Sequence, residues 1–308
     1  MMETLFVPLA LFAGGLLAVQ AGANAQLSKA VGSPFAATTL QLAIGTGLLF
    51  LVTLVTGTIA ALGAIPAVKW WHLIGGTASA VYVVSTIVLF PRLGAVVSVG
   101  LFIAGQMLAS LTLDSFGLLG VPQAGLRLGA AVGTLVVLLG VAMVVFGQGG
   151  RDNLKADRLG WIALALMAGA VLPVQGAVNA LLRHDLGGAP FAVGAISFLV
   201  ATLAMAAVML LVLAGQKTSR PDIAGVQTMP WWGWLGGLAV ATYVTTVFTA
   251  IPAIGAAAAV GLTVAGQQVA SVFVDRYGWF RLPQRSVSGL RLGGVVLLLA
   301  GVAIIKLV

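Results

Sequence analysis

Between Asp222 and Asp275 the chain carries no charged side chain, and the same holds from Glu3 to Lys29 and from Lys29 to Lys69. A helix crosses the hydrocarbon core of a bilayer with about 20 apolar residues, so the first of these stretches has room for two crossings. Inside lipid every backbone polar group must find its partner within the segment or within a closed barrel. Long unbroken apolar runs meet that demand as helices, whereas a barrel shows short segments of alternating polarity. The composition points the same way: 60% of residues are hydrophobic and 7% charged, against about 25% charged in soluble domains. With a mean hydropathy of +1.13, the sequence reads as an all-α integral membrane protein.

Apolar runs between Pro, Gly and charged breaks predict ten spans: 4–27, 35–61, 70–90, 94–113, 126–147, 159–182, 190–214, 231–251, 255–274 and 289–307. Met1 leads straight into the first run, so that helix is expected to insert as a signal anchor. The hydrophilic stretch from Gly147 to Arg158 divides the chain almost in half. The expected organisation is a five-helix unit over 1–147, a polar linker over 148–158 and a second five-helix unit over 159–308. With no cysteine, a disulfide framework, a thiolate metal site and a cysteine nucleophile are excluded. No motif implies a cofactor or another metal site. The net charge of +8 reads as loop charge that sets orientation, not as a nucleic-acid surface.

The two halves repeat each other. Gln20 and Asn24 in the first helix recur as Gln175 and Asn179 in the sixth, and Ser33-Pro34-Phe35-Ala36 recurs as Ala189-Pro190-Phe191-Ala192. At a constant offset of 161 residues, Trp70 matches Trp231, Gly75-Gly76 matches Gly236-Gly237, and Tyr82 matches Tyr243. The same offset pairs Pro91 with Pro252, Gly105-Gln106 with Gly266-Gln267, Asp114 with Asp275, and Pro122 with Pro283. Apolar matches are cheap in membrane helices; polar residues and prolines matching in one order are not. Five spans per half is an odd number, so the second copy enters the membrane from the opposite side. That is the inverted-repeat architecture of many secondary transporters. Of the 15 Lys and Arg residues, eleven fall on loops of the linker side. The positive-inside rule then puts the linker in the cytoplasm and both termini outside.

Two five-helix repeats, each opening with Gln-x-x-x-Asn-x-x-Leu and followed by Pro-Phe, resemble the drug/metabolite transporter superfamily, and within it the YdcZ-type family of bacterial inner-membrane proteins. The resemblance covers essentially the whole chain. It implies an EamA-like ten-helix transporter of the bacterial inner membrane, with a central cavity between inverted halves. In the related small multidrug resistance proteins a glutamate in the first helix carries protons and cationic substrates. Here that region offers Gln20 and Asn24 instead, with Glu3 at the very start of its helix, which speaks against simple carboxylate-driven antiport.

Gln20 and Asn24 share one helix face, as do Gln175 and Asn179. The two pairs are expected to approach each other near the axis relating the halves and to contact substrate, since amides offer donors and acceptors together. The competing role is interhelical glue, worth about 1 kcal/mol each. Gln106 and Gln267, with the neighbouring Gln268, and the matched Tyr82 and Tyr243 are further candidates for the cavity wall. Pro173 and Gly22 are candidate hinges. Gly133 and Gly140 in the fifth helix, and Gly294 and Gly301 in the tenth, have the small-residue spacing that lets helices pack closely and should join the halves. Trp70, Trp71, Trp231, Trp232 and Trp234 fit a headgroup belt. Asp114 and Asp275 sit at helix ends near Arg127 and Arg276, where ion pairing or a helix-end role is expected.

The leading function is secondary transport of a small polar metabolite or drug-like solute by alternating access, in a monomer of two fused repeats or a homodimer. A channel or a lipid flippase is the alternative. An enzyme fits poorly, because His72 and His184, the only histidines, show no partner in the sequence and no metalloprotease or hydrolase motif is present.

Overall fold

A computed structural model describes residues 2–147, 159–216, 220–222, 224–284 and 286–307; the linker at 148–158 lies outside them. Among the described residues ten long helices are present: α1 (Met2–Val31), α2 (Pro34–Val55), α3 (Trp70–Leu93), α4 (Ala95–Phe116), α5 (Leu128–Gly147), α6 (Leu159–Asp185), α7 (Pro190–Ala214), α8 (Trp231–Ile254), α9 (Ala256–Tyr277) and α10 (Gly289–Leu307). Nine are long and apolar enough to cross a membrane, and the apolar part of α10, Gly289–Ile305, falls just short of that length. The protein is an all-α, multi-span membrane protein.

Helix limits follow local chemistry. Ser33 caps α2, its Oγ accepting from the Ala36 N–H at 3.3 Å, with Pro34 at the first helical position, where its missing N–H costs nothing. The second span ends earlier than the hydropathy predicts, at Val55 and not near residue 61. Gly57 takes a φ of 70°, which closes the helix, and the chain continues as a 3₁₀ segment over Thr58–Ala67. Gly94 and Gly255, with φ of 79° and 81°, separate α3 from α4 and α8 from α9 in the same way.

The packing pairs elements across the linker. α5 lies along α10, and α2 along α7. α1 packs on α9 and α8, while α6 packs on α4 and α3. The close contacts occur twice. A Cβ on Gly14 would overlap the backbone of Thr263, and one on Gly266 the carbonyl of Leu11. At the repeat-related crossing of α6 with α4, Gly169 meets Phe102 and Gly105 meets Leu166 in the corresponding way. At the α5–α10 seam a Cβ on Gly133 would stand 2.7 Å from the Gly301 carbonyl, and one on Gly140 2.6 Å from that of Gly294. All four glycines are therefore points where backbone meets backbone. α4 and α9 run antiparallel: Asp114, near the end of α4, bonds to the start of α9, while Ala95 and Asp275 line one cavity.

Candidate substrate cavity

A cavity of about 300 Å³ opens between α1, α3, α4, α5, α9 and α10. Most of its wall is aliphatic or small: Ala18 and Ala21 from α1, Val96, Val99 and Ile103 from α4, and Val141 and Val144 from α5 are examples. One strip is polar. Gln267, Gln268, Ser271 and Asp275 of α9 line the cavity together, because residues three and four apart share a helix face. Arg291, in the first turn of α10, closes the strip. Its guanidinium donates to Asp275 at 2.7 Å and to Ser271 Oγ at 3.2 Å. The Arg291 side chain is only 4% exposed, and a buried charge of this kind is retained where it is paired and hydrogen-bonded. Ser288 anchors the start of α10, donating to the Gly147 carbonyl at 3.1 Å and accepting from the Arg291 N–H at 3.2 Å.

Of the residues singled out in the sequence, Gln267, Gln268, Asp275 and Gly22 stand on this wall. Gly22 also makes room for the Phe280 ring, and α1 runs unbroken through it, as α6 runs through the buried Pro173. The amide pairs bond to neighbouring helices. Gln20 donates to Gln41 Oε1 at 3.0 Å, and Asn24 to Thr38 Oγ1 at 3.4 Å, both on α2. Gln175 exchanges bonds with Ser79 of α3 at 2.9 and 3.1 Å, and Asn179 donates to Ser197 of α7 at 3.0 Å. They tie α1 to α2 and α6 to α3 and α7, with no bond between the two pairs. Gln106 is buried beside Gly105. Tyr82 packs on Phe102, ring centroids 5.1 Å apart, and Tyr243 is buried on α8.

Three partnerships were not read from the sequence. Asp275 pairs with Arg291 and not with Arg276. Asp114 caps α9, its two oxygens accepting from the Ala256 and Ala257 N–H groups at 2.7 Å each. His72, buried on α3, meets the Asp185 carboxylate through Nδ1. The first carried a signal: Gly125-Leu126-Arg127-Leu128-Gly129 recurs as Gly289-Leu290-Arg291-Leu292-Gly293, which makes Arg291 the motif counterpart of Arg127, set three residues deeper into its helix than the 161-residue offset would put it.

A family model described as "Putative inner membrane exporter, YdcZ", in the drug/metabolite transporter group, matches residues 5–143 and 160–304. The chain belongs to the YdcZ family. The YdcZ match takes in helices α1 to α5 and α6 to α10 and omits only residues 144–159 and the extreme ends. The protein is thus a multi-pass inner-membrane protein of an exporter family. Among curated proteins none matches. Fourteen chains of solved structures do. One of them, titled "Crystal structure of protein", superposes with a TM-score of 0.73 at 15% identity, covering 100% of this chain and 98% of its own. At that identity the likeness shows the fold alone, and the YdcZ fold is shared along its whole length.

Proposed function

We propose that this YdcZ-family protein is a secondary exporter that moves a small amphiphilic solute, neutral or zwitterionic, by alternating access between two inverted five-helix repeats. The observation that carries the proposal is the one-sided cavity. It lies among helices whose close contacts otherwise occur in matched pairs, and its aliphatic wall carries a single polar strip. The aliphatic side chains suit a hydrocarbon body. Gln267, Gln268 and Ser271 offer amide and hydroxyl groups to a polar end, and the neutralised Asp275–Arg291 pair leaves no net charge to select a simple cation or anion. The charge bias of the loops supports a cytoplasmic linker, which makes this cavity the cytoplasmic entrance.

Proteoliposomes loaded with a mixed pool of metabolites and drug-like solutes, read by mass spectrometry, test the proposal. Wild-type protein is expected to deplete a defined solute with saturation and counterflow, and Val99→Trp, which fills the cavity, to slow that flux at least tenfold while the protein stays monodisperse. Non-saturable flux without counterflow would point to a channel. Lipid scrambling in place of solute movement would overturn the reading in favour of a flippase.

A further inference from the structure

α4 and α9 begin alike and end alike. Each follows a glycine at positive φ, Gly94 or Gly255, and each carries an aspartate two residues before its end, Asp114 or Asp275. The first N–H groups of a helix have no acceptor within it, so both starts need one from outside. At α9 the acceptor is Asp114, bonded to the Ala256 and Ala257 N–H groups. The matching arrangement would put Asp275 on Ala95 and Val96 of α4. Asp275 does line the same cavity as those two residues, but its carboxylate is turned to Arg291, and no hydrogen bond joins it to α4 among the described residues. Arg127, whose Gly-Leu-Arg-Leu-Gly setting Arg291 repeats, is exposed and makes no ion pair with Asp114 among the described residues. One carboxylate–arginine motif thus stands in two arrangements in a single molecule. Near the end where the carboxylate caps the facing helix the pocket holds about 180 Å³; where the carboxylate is paired with arginine the cavity holds about 300 Å³.

We propose that Asp114 and Asp275 are reciprocal gate residues, each capping the facing helix, α9 or α4, when its end of the molecule is shut, and turning to Arg127 or Arg291 when that end opens. The proposal rests on the alternating-access reading. A carboxylate accepting two backbone N–H groups makes charge-assisted bonds at the positive end of a helix. A guanidinium offers a second such arrangement to the same group. Two discrete, comparably favourable partners are what a bistable element requires.

The chain has no native cysteine, which makes the test direct. Single thiols are introduced at Val99 on the cavity wall and, in a separate protein, at its counterpart Val260. Each is alkylated in oriented vesicles by an impermeant maleimide, Val99→Cys from the Arg291 face and Val260→Cys from the Arg127 face. Asp114→Ala removes the cap that holds the present arrangement, and should lower the ratio of the Val99 rate to the Val260 rate about tenfold. Asp275→Ala removes the cap of the opposite arrangement, and should raise the ratio about as much. Asp114→Asn and Asp275→Asn keep one acceptor and should shift it less, in the same directions; they serve where an alanine variant does not fold. Shifts of the same sign, or none in properly folded variants, would overturn the gate. Labelling needs no substrate, so the outcome is separate from transport: solute flux with unopposed shifts rejects the gate alone, and opposed shifts without flux reject the choice of solute alone.

Discussion

The two ends of the α4–α9 pair come from helices that match at ten of 22 positions at the 161-residue offset, and their structures differ. At one end Asp114 seals the start of α9, and the nearby pocket, between Leu119, Leu181 and Ile251, holds about 180 Å³. At the other end Asp275 turns to Arg291, and a cavity of about 300 Å³ separates it from the start of α4. Phe90 and Leu282 line the larger space where Ile251 and Val121 line the smaller, so the two are versions of one site. Matched positions in different arrangements mean that the asymmetry lies partly in conformation, beside differences such as Gln268 against Met107. A molecule built this way can exchange its ends without building a new site.

The largest expected effect breaks the matched crossings on which both ends depend. Gly266→Leu and Gly105→Leu each force a side chain into a facing carbonyl, and both should abolish the monodisperse peak in size-exclusion chromatography. A folded Gly105→Leu beside an unfolded Gly266→Leu would break the equivalence of the halves. Next comes the charge comparison. Arg291→Leu leaves the half-buried Asp275 without its partner and should cost about 2 kcal/mol of stability, seen as a lower thermal midpoint in detergent. Arg127→Leu, at an exposed position, should leave the midpoint nearly unchanged. The smallest effect concerns the amide ties. Asn179, fully buried and bonded at 3.0 Å, should lose about 1 kcal/mol on change to Ala. Asn24, half-buried with its bond at 3.4 Å, should lose less. Loss of flux in folded Asn24→Ala would instead put that amide on the solute's path.

Much of this architecture was legible in the sequence because hydropathy and helix breakers act locally. Gly94, Gly255, Pro34 and Pro190 mark helix limits through their own backbone preferences, and ten spans follow. The exception, α2, ends early because of a single glycine inside an apolar run, where hydropathy carries no signal. The site was less legible because partner choice is tertiary. Gln20 and Asn24 were visible as polar residues in lipid, but whether an amide faces a cavity or a neighbouring hydroxyl depends on where Gln41 and Thr38 arrive. Arg276 is adjacent to Asp275 in sequence yet points elsewhere, since consecutive residues on a helix do not share a face. Arg291 reaches Asp275 only after a loop and a new helix. The repeated Gly-Leu-Arg-Leu-Gly was the one trace of it.

The central claim is that the two ends open in turn. Spin labels on Arg92→Cys and Gln284→Cys bracket the cavity end, and labels on the repeat-equivalent Ala253→Cys and Gln123→Cys bracket the other; pulsed dipolar spectroscopy gives each distance distribution in lipid. The account predicts two distances at each end, with a transported solute shifting the two ends in opposite directions. A single fixed distance at both ends, or opening of both together, would contradict it.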